Sequence, residues 1–428
     1  MLICILVIAY VASDQDIFSP WIIATASFLN SSVLAMLNRD YWQYDFHVST
    51  CLVIVVALLL FGAGAMIAGW AVKRDAGTVC EKPSRPLAMP AGLIMAVSVV
   101  ILLLAAVSFQ DSYHLSVFYG NTDGYGNMLP TVRRLLESKE AVLPRGVAYR
   151  NLISLTAAVF FMYTYLHDMV WFGWRRASCL CLLPTLVYIP HAVLSTARGD
   201  FLTVTVVAIL LAGIQYQIKN GCSGRNNLRL LGGMMAAFVL FFSAFFAAGS
   251  LTWKGLTETR GPFRIISHYT GAQIPAFDAY LNGRAYPEDE WIGTHSLIGP
   301  YSNMRALGME VPETSIFLEF TAFENVDTNV YTSLRRYIQD YGFVGMGLIV
   351  FLLGLIYTTA YNLVRKRAGG GFALLMYVMF SWPFFMFGHD DLFMTTVLSA
   401  RTIYILISMG FFYWIGMRCC KHNEEGAK

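Results

Sequence analysis

Five arginines near the ends of apolar segments are the residues of this chain most suited to binding a phosphorylated ligand. Arg198 lies in a short link between two apolar segments, Arg260 and Arg264 follow a later one, and Arg335 and Arg336 precede the next. A planar guanidinium with a forked set of donors matches phosphate oxygens and stays charged near lipid. The pattern predicts a site for a phosphate or diphosphate; anchoring to lipid headgroups is the alternative interpretation.

Carboxylates and histidines accompany these arginines, and any of them could be the base for a hydroxyl nucleophile. Asp340 is the best placed, because it comes four residues after Arg336 and directly before an apolar segment. The other candidates share the polar stretches around it: His268, Asp278, His295, Glu319, Glu324, Asp327 and the run 389–391. Most of these are expected to be solvated loop charges. His191, inside an apolar segment, is interpreted as a hydrogen-bonded core residue.

Sequence motifs for metal or nucleotide chemistry are missing. The chain has no HExxH, no GxSxG and no phosphate-binding glycine loop. Its neighbouring cysteines, at 179/181 and 419/420, have no histidine or carboxylate at ligand spacing. We therefore predict neither a metal nor a cofactor.

The composition requires a lipid environment. Hydrophobic residues make up 57% of the 428 positions and charged residues 13%, against about 45–50% and about 25% in soluble domains. A soluble core could not bury this much apolar surface, so a bilayer must solvate the excess. The net charge of +3 is too small and too dispersed to indicate nucleic acid.

The apolar residues fall into segments that predict an all-α polytopic membrane protein with about 11 transmembrane helices, folded as one domain over 1–428. A spanning helix needs about 20 largely apolar residues, and the first and fifth segments are shorter than that. The segments are 1–13, 20–37, 48–72, 88–108, 152–166, 177–194, 201–218, 231–251, 343–364, 370–387 and 394–417.

Basic residues follow the third, fifth, seventh, ninth and eleventh segments. Basic residues in short loops mark the cytoplasmic side, so alternation of the helices predicts a cytoplasmic C-terminus. Met1 is then outside, provided that segment 1–13 spans. The stretches 109–151 and 252–342 become external loops. The second is rich in aromatic residues and is expected to be ordered and partly helical, packed over the membrane before the third-last helix.

Four stretches of the chain resemble the Wzy-type oligosaccharide repeat-unit polymerases that build O-antigen and capsule. They are 16–20, 195–201, 268–281 and 328–342, the last continuing into 351–355. They occur in the order typical of that family and extend over nearly the whole chain. An Arg-x10-Gly signature found in some members adds nothing, because the two matches equal the number that chance predicts.

The resemblance implies a metal-independent glycosyltransferase of the bacterial inner membrane, with its active face in the periplasm. It would transfer a growing glycan from undecaprenyl diphosphate to a sugar hydroxyl of another lipid-linked repeat unit. The five arginines would bind the diphosphate; Arg198, Asp340 and His268 would be catalytic. Tyr269, Asp278 and Tyr331 would contact the glycan. A flippase and a chain-length regulator of the same pathway would be partners.

Two other functions fit parts of the pattern. An O-antigen ligase uses the same donor but transfers the glycan to a lipid A–core acceptor. A transporter or flippase for the same lipid needs polar residues along a path through the bilayer, and the apolar segments here carry few beyond His191 and Arg401. No internal repeat is visible, whereas many transporters consist of repeated halves.

Overall fold

The computed structural model describes residues 1–72, 83–138, 140–194, 199–251, 261–283, 291–366 and 371–425. Sixteen α-helices and one β-hairpin account for most of this described part. The helices are α1 Leu2–Ala12, α2 Pro20–Leu37, α3 Arg39–Trp42, α4 Val48–Ala71, α5 Ala91–Phe118, α6 Met128–Glu137, α7 Arg145–Phe172, α8 Leu183–Leu194, α9 Gly199–Asn220, α10 Gly224–Leu251, α11 Pro262–Gly271, α12 Gln273–Gly283, α13 Ile298–Ala306, α14 Ser333–Lys366, α15 Gly371–Ser381 and α16 Ala400–Glu425. Strands β1 Thr321–Phe323 and β2 Val326–Thr328 pair antiparallel, with Thr321 opposite Thr328. Short 3-10 helices occupy Gly124–Asn127, Cys179–Leu182 and Trp382–Met386, and one π-helical turn occupies Phe393–Val397.

Eight helices of the described part are long and apolar enough to cross a membrane: α2, α4, α5, α7, α9, α10, α14 and α16. Three shorter apolar helices, Leu2–Ala12, Cys179–Leu194 and Gly371–Met386, coincide with the remaining predicted segments. The prediction of an all-α polytopic membrane protein is confirmed. The number eleven stays a prediction, because these three are shorter than a membrane-spanning helix normally is.

The helix α7 is much longer than the predicted segment 152–166, because polar residues at its ends find partners on other helices. Asn151 donates to Asp200 on α9 (2.8 Å), and Arg150 donates to Ser108 on α5 (2.9 Å). At the other end, Asp168 accepts from the backbone of Leu87 (2.8 Å). Since α5 also runs on to Phe118, much of the stretch 109–151 is helical.

The helix α14 begins at Ser333, ten residues before the predicted segment 343–364. Gly342 breaks it into two parts with φ 67° and ψ −176°, a backbone conformation that side chains other than glycine rarely tolerate. The part before Gly342 carries Arg335, Arg336 and Asp340. Between 261 and 331 the chain forms α11, α12, α13 and the hairpin; the hairpin was not predicted.

Close packing of α4 against α14 holds the centre of the bundle. A Cβ atom at Gly64 would collide with the backbone of Phe351, and one at Gly354 would collide with the backbone of Phe61. Small residues let membrane helices approach closely, and van der Waals contact then replaces the hydrophobic driving force that lipid removes. Two glycines, one on each helix, therefore allow α4 and α14 to approach this closely.

Contacts between loops and helices distinguish the two ends of the bundle. At the end that we call the basic end, the Tyr361 hydroxyl donates to Asp16 (2.9 Å) and Asn227 donates to the backbone of Gln15 (2.7 Å). At the opposite end, which we call the loop end, the Tyr44 hydroxyl donates to Asp278 (2.6 Å). This division agrees with alternating helices, and which end faces the cytoplasm stays a prediction.

Candidate functional site

A large apolar cavity, which we call the long cavity, lies between α1, α2, α9, α10 and α11. Its volume is about 1120 Å³, against about 300–1,000 Å³ for ordinary small-molecule pockets. It extends from Tyr10 and Asn227 at the basic end to Tyr269 and His389 at the loop end. Its wall is mostly aliphatic and aromatic and includes Leu6, Val7, Ile22, Ile23, Leu34, Leu202, Leu228, Leu231, Met234, Met235, Phe238, Phe241, Phe242, Ile266, Phe385 and Met386. Such a cavity suits a long hydrocarbon chain.

Polar side chains enter the wall of the long cavity where it approaches the loop end. They are Ser27, Asn30, Arg133, Tyr269, Thr270 and His389. Ser27 also fixes the segment 385–388, because its hydroxyl donates to the carbonyl of Phe385 (3.0 Å) and accepts from the backbone N–H of Gly388 (2.9 Å). One end of an otherwise apolar cavity can thus contact a polar headgroup.

His389 is the most unusual of these polar residues. Its side chain is buried, with 6% of the residue exposed, and its Nδ1 has no hydrogen-bond partner within the described part of the chain. Burial lowers the pKa of His389 to about 4, because the imidazolium form would lose its hydration. The ring is therefore neutral at pH 7, with one nitrogen that donates and one that accepts.

The two residues after His389 hold the loop. Asp390 receives Nε and Nη2 of Arg336 at 2.8 and 3.1 Å. Asp391 accepts from the Tyr337 hydroxyl (2.6 Å) and from the backbone of Phe393 (2.9 Å). Burial raises the pKa of Asp391 to about 6. These bonds give His389 a fixed position, since the chain around it cannot shift without breaking them.

Arg336, predicted to bind diphosphate, is directed at the protein itself. Besides its bidentate pair with Asp390, it donates from Nη1 to the carbonyl of His295 and from Nη2 to the carbonyl of Ile316, both at 2.8 Å. Only 1% of the residue is exposed. Its guanidinium therefore joins three loop segments, and its role as a diphosphate ligand remains a prediction.

Asp340, predicted to be catalytic, holds the turn that precedes α13. Its carboxylate accepts from the backbone and hydroxyl of Ser296 at 2.7 and 2.6 Å, and it lies 3.1 Å from Nδ1 of His295. His295 was one of the candidate bases in the sequence. Its Nε2 lies 3.0 Å from Nε2 of Gln339. Asp340 and His295 thus form an acid–imidazole pair in which the carboxylate orients the ring.

The His295 ring lines a second depression, which we call the polar cleft, with a volume of about 650 Å³. Its other walls are Trp291, Thr294 and the continuous stretch from Glu310 to Glu319 except Ile316. Trp291 is 47% exposed and Phe317 is 48% exposed. Exposed aromatic faces beside carboxylates and hydroxyls are suited to the apolar and polar faces of a sugar ring.

The long cavity and the polar cleft are separated by a short chain of contacts. His389 lines the long cavity, and its neighbour Asp390 is paired with Arg336. Arg336 in turn binds the carbonyl of His295, which lines the polar cleft. A ligand with a hydrocarbon tail and a glycan could therefore occupy neighbouring compartments.

Arg335 and Tyr331 form a buried stack beneath the polar cleft. The guanidinium lies 3.8 Å from the centre of the Tyr331 ring and 4.8 Å from that of Tyr280, and it pairs with Glu319. Neither Arg335 nor Tyr331 has exposed surface. Their predicted contacts with diphosphate and glycan would need a different conformation and stay predictions.

The helix α11 separates three predicted site residues onto opposite faces. Tyr269 lines the long cavity together with Ile266. Arg264 instead lies 4.0 Å from the centre of the Tyr41 ring, and Nε2 of His268 lies 3.1 Å from the carbonyl of Asp327. Positions 264 and 268 share one face because they are four residues apart, and 266 and 269 turn away from it. The structure does not bring Arg264 and His268 to the long cavity.

Asp278, predicted to contact glycan, is fully buried at the loop end. It accepts from the Tyr44 hydroxyl (2.6 Å) and from the backbone of His47 (3.1 Å), and its other contact is Nδ1 of His47 at 2.7 Å. These bonds connect α12 to the segment before α4. In this conformation Asp278 fixes the large loop on the bundle.

Arg198 and Arg260, both predicted to bind diphosphate, lie outside the described residues. The residue after Arg198, Gly199, lines the long cavity. Arg133 is a cavity residue that the sequence did not single out. The run 389–391 contained the signal for His389, but no sequence pattern distinguishes the histidine from the two carboxylates beside it.

In the described part of the chain, no group of three or more histidine, cysteine or acidic side chains is arranged to hold a metal ion. Comparisons of the chain with protein-family models, with curated proteins and with solved structures found no match.

Proposed function

We propose that this protein polymerises lipid-linked oligosaccharide repeat units into a surface polysaccharide, as the resemblance to Wzy-type polymerases implies. The observation that carries the proposal is the adjacency of the long cavity, the polar groups at its loop end and the polar cleft. A donor consisting of a polyprenyl chain, a diphosphate and a glycan has three parts with these same three chemistries. A soluble substrate would not require an apolar cavity of about 1120 Å³.

In the proposed complex, the long cavity holds the hydrocarbon chain of undecaprenyl diphosphate. The diphosphate lies at the loop end, near Arg133 in the cavity wall and near Arg198, whose neighbour Gly199 is in that wall. The exposed rings of Trp291 and Phe317 contact sugars in the polar cleft. Catalysis then depends on positioning and charge stabilisation, because a diphosphate is already a good leaving group.

The reaction is a glycosyl transfer without a metal. The acceptor hydroxyl loses its proton to a base, and its oxygen forms a bond to the anomeric carbon of the donor glycan. The bond between that carbon and the diphosphate oxygen breaks, and the electron pair leaves with undecaprenyl diphosphate. The active face is the periplasmic face of the inner membrane, with the C-terminus in the cytoplasm.

A lipid transporter is the second candidate, because the long cavity extends from one end of the bundle to the other. Moving a charged headgroup along that path would require polar residues throughout its length. The middle of the wall is aliphatic and aromatic instead, which favours a cavity that holds a tail over one that passes a headgroup. A ligase would share the donor site and differ in its acceptor.

Deletion of the gene distinguishes these functions by the polysaccharide on the cell surface. Loss of a polymerase leaves single repeat units on the lipid A–core, and loss of a ligase leaves the core bare. Loss of a flippase accumulates repeat units that face the cytoplasm. Full-length polysaccharide in the deletion strain would overturn the proposal, provided that complementation and sequencing exclude a second copy of the gene.

A further inference from the structure

We infer that His389 is the base that accepts the proton of the acceptor sugar hydroxyl. This inference rests on the proposed polymerase function and names the residue that carries out its proton transfer. Its physical basis is a buried imidazole at the wall of the long cavity, at the end where the polar groups collect.

The first argument is the unsatisfied nitrogen. Buried side-chain polar atoms nearly always have hydrogen-bond partners, and an exception in a native protein requires an explanation. Nδ1 of His389 has none within the described residues, although 94% of the residue is buried. Other buried polar atoms there also lack a partner, but among those residues His389 alone lines the long cavity. Nδ1 itself is covered in this conformation, so the ring must turn to bring it to the long cavity that His389 lines. A sugar hydroxyl there can donate to a neutral imidazole nitrogen.

The second argument is the rigidity of the surrounding loop. The bidentate pair of Asp390 with Arg336 fixes one neighbour of His389, and the bonds that Asp391 receives fix the other side. The backbone N–H of His389 itself donates to the carbonyl of Met386 at 2.8 Å. A base must be held in position to act efficiently. In this loop His389 lines the cavity, while the side chains of Asp390 and Asp391 hold the backbone in place.

The third argument is the protonation state. A neutral ring at pH 7 can accept a proton, and burial alone lowers the pKa of His389. A bound diphosphate would add negative charge near the ring and stabilise the imidazolium that forms during transfer. The base would therefore gain basicity at the moment when the substrate is bound.

The proton balance of the step is simple. The acceptor O–H proton moves to His389 as the oxygen bonds to the anomeric carbon, and the bond from that carbon to the diphosphate oxygen breaks. The diphosphate leaves with the electron pair. The imidazolium then returns its proton to water, which restores the neutral ring.

The experiment uses the full chain in nanodiscs with lipid-linked repeat units extracted from the deletion strain. His389→Gln preserves volume and hydrogen bonding but cannot act as a base. We expect its kcat to fall by about 10²–10⁴-fold, the usual contribution of general base catalysis, with KM changed by less than about threefold. The control is His191→Gln, because His191 is also buried, is bonded to Ser154 at 3.0 Å and does not line the cavity. Its turnover should match the wild type.

Turnover of His389→Gln within about threefold of the wild type would overturn the assignment while leaving the polymerase intact. If His389→Gln fails to fold, His389→Ala is tested with added imidazole, which should restore turnover if the missing group is a base and should have no effect otherwise. Wild-type protein that forms no polymer, together with full-length polysaccharide in the deletion strain, would refute the proposed function itself.

Discussion

Replacement of Arg336 by alanine is expected to destabilise the protein, and any loss of activity should follow from that loss of stability. The guanidinium makes four hydrogen bonds, two to Asp390 and two to the carbonyls of His295 and Ile316. Alanine would leave the Asp390 carboxylate, with 24% of its side chain exposed, without its counter-charge. The three loop segments that Arg336 joins would also lose their common partner.

Removing one partner of a buried ion pair costs about 3–5 kcal/mol. Unfolding entropy of about 2.1 cal/mol/K per residue, over the 428 residues of the chain, corresponds to roughly 0.9 kcal/mol/K. The melting temperature of Arg336→Ala should therefore fall by about 3–6 °C. Because Asp390 keeps some contact with solvent, the lower part of this range is the better expectation.

Thermal unfolding in nanodiscs measures the shift, and two further variants identify its cause. Arg336→Met combined with Asp390→Leu removes both charges and should recover most of the lost stability, since a buried ion pair is often replaceable by apolar side chains. Arg264→Ala is the arginine control; it loses the contact with Tyr41 and a hydrogen bond to Asn38, which together should cost about 1–2.5 kcal/mol. An unchanged melting temperature for Arg336→Ala, together with a raised KM for the lipid-linked donor, would refute this reasoning and favour direct diphosphate binding.

Four other results are expected. Arg198→Lys, compared with Arg198→Ala at matched expression, should lower polymerisation about 10- to 100-fold if the guanidinium binds diphosphate as a fork; full-length polymer from both variants would end that assignment. Asp278→Asn should lower the melting temperature without shortening the polymer in the protein that remains folded. A reporter active only in the periplasm, fused after Lys428, should be inactive. As the pH falls from 6.5 to 4, the folded protein takes up a proton at Asp391, and this uptake stabilises the folded state. Over the same range the unfolded chain takes up a proton at His389, and that uptake stabilises the unfolded state. Asp391→Asn removes the first effect and should lose up to about 3 kcal/mol more stability than the wild type over this range, measured by thermal unfolding.

The membrane class of the protein could be predicted because it depends on composition and on long apolar runs. Helix ends were less predictable, since they depend on partners that lie far away in the sequence. The stretch 145–151 is too polar to count as part of an apolar segment, yet Asn151 and Arg150 bond to α9 and α5, and α7 continues through them. The predicted segment 152–166 was too short for α7, because tertiary contacts satisfy the polar side chains at the ends of this helix.

The candidate site was predictable as a region and less so as a set of residues. Arg264, His268 and Tyr269 are close in sequence, and the last two belong to a stretch of family resemblance. The turn of α11 nevertheless directs Tyr269 to the long cavity and the other two to Tyr41 and Asp327. A sequence without known helix orientation gives no means of choosing between those faces, so all three were equal candidates.

Residue type alone favours arginine as the ligand of a diphosphate. The hydrogen bonds that each side chain already makes in the folded protein rank the candidate site residues differently. Arg336 is chemically suited to phosphate, and its donors are already bound to Asp390, His295 and Ile316. Recruiting it to a substrate would expose Asp390 to a nearby anion, with a cost in electrostatic repulsion and lost hydrogen bonds. His389 has the opposite balance, because its unbonded Nδ1 would gain a partner from the proposed substrate without breaking an existing bond at that nitrogen. Unpaired polar groups are costly where they are buried, so the group left unsatisfied beside a cavity is a better guide to the reacting residue than the group with the most suitable charge.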